Sequence, residues 1–99
     1  MEFSMSRADG IATLRIVGEL DAVTVADLRP SVDALVADRH AHIVVDASGL
    51  RLIDSSGVGT VVFLYKKAKE YGGVVTVHGL REQPLAIFKL LRLDRILLA

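Results

Sequence analysis

Cysteine is absent from the 99 residues of this chain. That excludes a disulfide framework and any thiolate metal site. Net charge is absent too: twelve Lys and Arg cancel twelve Asp and Glu. No long-range field therefore draws the surface toward nucleic acid or an anionic membrane. No apolar run approaches the roughly 18 residues of a membrane-spanning helix. The start, Met1-Glu2-Phe3-Ser4-Met5, has neither the basic region nor the apolar core of a secretory signal. These absences predict a soluble, cytoplasmic protein with no membrane insertion and no direct nucleic-acid contact. Hydrophobic residues are present in quantity, at 52 %. The length fits a single domain over residues 1–99.

Phe3 and Met5 alternate with Glu2, Ser4 and Ser6, while Ala12, Leu14 and Ile16 alternate with Thr13 and Arg15. Ala8-Asp9-Gly10 lies between them, so the segment reads as a β-hairpin. Beyond Gly18-Glu19-Leu20-Asp21, Thr24-Val25-Ala26-Asp27 reads as a weak capping box. It precedes a helical stripe of Leu28, Val32, Leu35 and Val36. Pro30 lies past the first turn and places the regular part of that helix near its own position. The run from His42 to Asp46 is a buried strand. A second helix runs to about Tyr71, where Gly72-Gly73 supplies the left-handed stop. Val74-Val75-Thr76-Val77 is a β-branched strand. Pro84 suits the first turn of a third helix, with Leu85, Ile87, Phe88 and Leu91 inward. Arg95 to Ala99 reads as an optional short edge strand. The order ββαβαβα(β) predicts an α/β fold: a mixed sheet of four or five strands with helices packed on it.

One stretch organises the rest: Ile53-Asp54-Ser55-Ser56-Gly57-Val58-Gly59. Val58, Val61, Val62, Tyr65 and Ala68 then recur at helical steps. Ser55 fits the N-cap role, and a helix N-terminus also accepts anions through its free N–H groups and dipole. A phosphate on Ser55 is therefore compatible with the fold. Catalysis is not expected. The nucleophile-elbow pattern is missing around Ser55, and no histidine stands near it in the sequence. Val62 occupies the third glycine position of a dinucleotide fingerprint, and no phosphate-loop lysine follows. No cofactor is expected, and His40 and His42 without a neighbouring carboxylate or thiolate make no metal site. Lys66, Lys67 and Lys69 read as a solvated face near the helix C-terminus. Phe63 points away from the inner stripe and reads equally as a partner contact or as a side chain beneath a neighbouring loop.

With these motifs in place, the whole chain resembles the STAS domain family of sulfate transporters and anti-sigma factor antagonists. The resemblance rests on Gly18-Glu19-Leu20-Asp21 and Asp54-Ser55-Ser56-Gly57-Val58-Gly59, supported by Gly72-Gly73 and a leucine-rich end. It implies a single-domain anti-sigma factor antagonist acting in a bacterial partner-switching pathway. In such proteins the serine after the loop aspartate, here Ser55, is phosphorylated. The unmodified form binds an anti-sigma factor that is often the serine kinase, which frees the sigma factor, and a serine phosphatase resets the cycle. The resemblance carries Asp21, Asp54, Ser56, Gly57, Val58 and Gly59 over as partner contacts, with Phe63 added from its outward position. Val58 stands where leucine is commoner, and Leu91-Arg92-Leu93 departs from the usual small residue and glycine. Small STAS proteins also accompany bacterial lipid-transport ATPases, which gives the alternative: an accessory subunit of a lipid-transport ABC system.

Overall fold

A computed structural model describes residues 1–98. The elements are β1 (Glu2–Ala8), β2 (Ile11–Leu20), α1 (Val25–Ala37), β3 (His42–Ile53), α2 (Ser55–Glu70), β4 (Val74–His78), α3 (Glu82–Leu90) and α4 (Asp94–Leu97). The sheet order is β1-β2-β3-β4. β1 and β2 form the expected antiparallel hairpin, and β2, β3 and β4 run parallel. Asp9 (φ 54°) and Gly10 (φ 78°) make its turn in the left-handed region, as a two-residue hairpin loop requires.

Burial alternates along the strands. Ala12, Leu14 and Ile16 on β2, Ile43, Val45 and Ala47 on β3, and Val75 and Val77 on β4 are buried. The opposite row, including Arg15 and His78, is open to solvent. One face of the sheet thus carries the helices. Against it pack Leu28, Val32 and Leu35 of α1, Val58, Val61, Leu64 and Ala68 of α2, and Phe88 of α3. Leu64 is 1 % exposed and belongs to the inner stripe of α2, which the helical arithmetic above had centred one residue away, beside half-buried Tyr65.

Five expectations about the fold need correction. The α1 helix does not begin at Pro30 but continues through it. An interior proline costs about 3 kcal/mol. Leu28 is the buried residue that the extension before Pro30 adds, worth about 1.5–3 kcal/mol, a return comparable to that cost, and the longer helix is kept. Thr24 makes no cap of its own; the reciprocal pair lies one turn earlier. Asp21 Oδ1 accepts from the Thr24 N–H (3.0 Å), and Thr24 Oγ1 accepts from the Asp21 N–H (2.9 Å).

Strand β3 does not stop at Asp46 but reaches Ile53, twelve residues in all. Register shifts against β2 fall between Arg15 and Val17 and between Gly18 and Glu19. The first bulge is held by Asp46 Oδ1, which accepts from the Ser48 N–H (3.0 Å) and hydroxyl (2.7 Å). Those bonds, Ser48's own first, keep the Asp46 carboxyl below the usual carboxylate range. Finally, the end of the chain is not a strand. Asp94–Leu97 is one helical turn, and Leu98 makes a single parallel bridge to Val77. Ala99, the last residue of the expected strand, lies outside the described residues. Leu91 is 50 % exposed rather than inward, because Arg92 turns left-handed (φ 60°) and ends α3 there.

Candidate functional site

The ends of β2 and β3, the turn into α1 and the start of α2 meet at one corner of the sheet. Asp54 is its hub. The N-cap of α2 is Asp54, not Ser55: its Oδ1 accepts from the Gly57 N–H at 3.0 Å. Its other oxygen, Oδ2, accepts from the Ala22 N–H at 3.1 Å, and its own N–H donates to the Leu20 carbonyl at 3.2 Å. One residue therefore binds the end of β2, the turn after it and the first turn of α2. Ser55 becomes the first helical residue, with its side chain exposed. It sits where the helix dipole and unpaired first-turn N–H groups favour negative charge.

Asp21 is equally occupied. Its Oδ1 accepts from the N–H groups of Val23 and Thr24 and from the Thr24 hydroxyl. The Thr24 N–H is the main reason its carboxyl stays below the ordinary carboxylate range, with burial acting the other way. A lowered pKa means that the folded turn prefers ionised Asp21. Its contribution is complete above the ordinary carboxylate range and fades as pH falls through the lowered value.

Ser56 is half-buried, while Gly57 and Val58 are buried. Gly57 permits close approach: a Cβ there would stand 2.5 Å from the Leu20 carbonyl oxygen and 2.6 Å from Ile53 Cγ1. Gly59 is exposed, and a Cβ there would meet nothing within 4 Å. Phe63 lies further along, partly packed on the core, with the Arg29 guanidinium of α1 4.1 Å above its ring. The corner thus gathers Asp21, Asp54, Ser55 and Ser56 at its surface and Gly57 and Val58 beneath it, with Phe63 on the α1–α2 seam.

Sequence reasoning missed Val23 and Leu52. They are 81 % and 49 % exposed, and they flank the corner from the turn and from β3. Beside Leu52 opens a depression of about 260 Å³ lined by Glu19, Leu20, Asp21, Leu52, Ile53 and Asp54. Three carboxylates rim an apolar floor, so the surface suits an apolar side chain with cationic neighbours. Only their large exposed apolar area marks Val23 and Leu52, and that is visible in three dimensions alone.

Losing the hub should be measurable. Asp54→Ala is expected to destabilise the domain by about 1–2 kcal/mol, as loss of a good N-cap does, with Asp54→Asn closer to wild type. Thermal melts check this, and an unshifted Asp54→Ala melt would contradict the role.

Residues 3–99 match the family model described as "Mlab, STAS domain". The chain belongs to the STAS domain family. A STAS relative described as "Anti-sigma F factor antagonist", from Paenibacillus polymyxa, is 32 % identical over 78 residues, covering 78 % of this chain and 67 % of that protein. The crystal structure of an anti-sigma factor antagonist from Mycobacterium paratuberculosis superposes with a TM-score of 0.83 at 27 % identity, covering 97 % of this chain and 81 % of the other. The Bacillus cell fate determinant SpoIIAA in its phosphorylated form shares the STAS fold, with a TM-score of 0.73 at 22 % identity over 98 % of this chain and 89 % of that one.

Proposed function

We propose that this STAS domain is an anti-sigma factor antagonist of the partner-switching type, acting in the cytoplasm without catalysis of its own. Its unmodified form binds an anti-sigma factor with serine kinase activity and so frees a sigma factor. Phosphorylation of Ser55 ends that binding, and a serine phosphatase restores it. The observation that carries the reading is the exposed Ser55 hydroxyl on the first residue of α2, with Asp54 as the cap beside it. A phosphate adds about −1.5 to −2 charges. At this corner it would join Glu19, Asp21 and Asp54, the carboxylates that line the adjacent depression. A partner with cationic and apolar groups docks on the unmodified surface. That same partner packs closely on the Ser55 hydroxyl, so a bulky phosphate there is excluded by the fit and would have to be desolvated beside Asp54 and Asp21. The fold itself need not move, because the helix N-terminus accommodates the charge.

The resemblance of Val74 to Leu80 and the leucine-rich end to small STAS proteins that accompany lipid-transport ATPases supports one second reading, an accessory subunit of a bacterial lipid-transport ABC system. The two readings separate in one experiment: intact-mass analysis and site mapping of the protein isolated from its native host. Phosphate confined to Ser55 is the expected result. Stable co-purification with an ATPase and an unmodified Ser55 would replace the first reading by the second.

A further inference from the structure

The corner has a support that neither the motifs nor the proposed contacts include. Gln83, the second residue of α3, reaches across to the last residue of β3. Its Oε1 accepts from the Ile53 N–H at 3.0 Å, and its Nε2 donates to the Ile53 carbonyl at 2.9 Å. The amide thus pairs with both backbone polar groups of one residue, as a neighbouring strand would. β4 does not extend that far: its pairing with β3 ends at Asp46–His78. The backbone on either side of Gln83 is tightly specified. Glu82 is left-handed (φ 54°), a costly conformation for a residue with a side chain. Pro84 follows, restricts Gln83 in turn and is buried.

Ile53 directly precedes Asp54. With Gln83 on Ile53, Leu20 on the Asp54 N–H and Ala22 and Gly57 on its carboxylate, every backbone step into Ser55 is tied to a different part of the chain. We infer that Gln83 is a positioning residue for the Ser55 corner. It holds the end of β3 so that the hydroxyl is presented in one geometry to the enzymes that modify it. Presentation of this kind acts by pre-organisation: the geometry is fixed before the encounter. For phosphorylation, the inference rests on the reading of Ser55 as the acceptor; the geometric part does not.

The test uses the full chain. In Gln83→Ala, hydrogen exchange of the Ile53 amide is expected to accelerate about tenfold or more, while amides of Val45 and Val77 keep wild-type rates. Gln83→Glu retains an acceptor for the Ile53 N–H and loses the donor to the Ile53 carbonyl. It should restore most of the amide's protection, which general loosening of α3 would not. In the native host, the phosphorylated fraction at Ser55 should fall severalfold in Gln83→Ala at equal protein level. Unchanged Ile53 exchange in Gln83→Ala overturns the inference. So does a wild-type phosphorylated fraction in that variant. If the wild-type protein carries no phosphate, the Ser55 reading fails instead, and the exchange experiment still decides whether Gln83 holds the corner.

Discussion

Ser55→Asp is expected to bind the anti-sigma partner at least tenfold more weakly than wild type, and true phosphorylation about a thousandfold more weakly. Ser55→Ala should bind as well as wild type and resist phosphorylation. The magnitude follows from charge placement. Like-charge juxtaposition with uncompensated desolvation costs several kcal/mol at an interface, and about 4 kcal/mol is a thousandfold in affinity. Aspartate supplies one charge where phosphate supplies nearly two, so its effect is smaller. The corner already holds Asp54 and Asp21 with their carboxylates committed to backbone N–H groups. Those carboxylates cannot easily turn away from an added charge without giving up the turn they hold. Calorimetric titration of the two variants and the phosphorylated protein against the partner checks this. Equal affinity of Ser55→Asp and Ser55→Ala would remove the switch.

The second large effect concerns two glycines two residues apart. Gly57→Ala is expected to destabilise the fold by about 3 kcal/mol, since overpacking against a fixed neighbour costs 1–3 kcal/mol and occasionally more. The atom 2.5 Å from the new Cβ would be a backbone carbonyl oxygen, that of Leu20, which cannot rotate aside like the end of a flexible side chain. For a domain of this size that corresponds to a loss of about 12–24 °C in Tm. Gly59→Ala should act in the opposite direction and stabilise α2 by about 0.5–1 kcal/mol, because its site is helical and open. Thermal melts of the two variants side by side check both signs. Matching shifts would show that close approach at Gly57 does not govern its packing.

The corner illustrates what a sequence can and cannot display. Both motifs at the corner were visible as residue patterns, and the strand–helix alternation was enough to give the mixed sheet. Which residue caps α2 was not legible, because aspartate and serine are about equally good N-caps. Asp54 is selected by the Leu20 carbonyl, a group contributed from 34 residues earlier in the sequence. The apolar run ends at Asp46, and only pairing with β2 carries the strand on through Ala47-Ser48-Gly49 as a bulge. At the chain end, an apolar run with no Gly or Pro boundary is ambiguous between strand and helix, and the left-handed Arg92 resolves it toward the helical turn. Gln83 carries no pattern at all. A glutamine near the start of a surface helix is ordinary, and its partner lies 30 positions away.

On the proposed reading of Ser55 as the phosphate acceptor, that separation bears on how the serine is recognised. The geometry around Ser55 is assembled from the end of one strand, the turn that follows it, and a helix much later in the chain. None of these restraints exists in a short linear segment around Asp54-Ser55-Ser56-Gly57. An enzyme that reads this shape is thus reading completed folding as well as residue identity. Nascent or damaged copies would be passed over, and only intact molecules would enter the regulatory cycle.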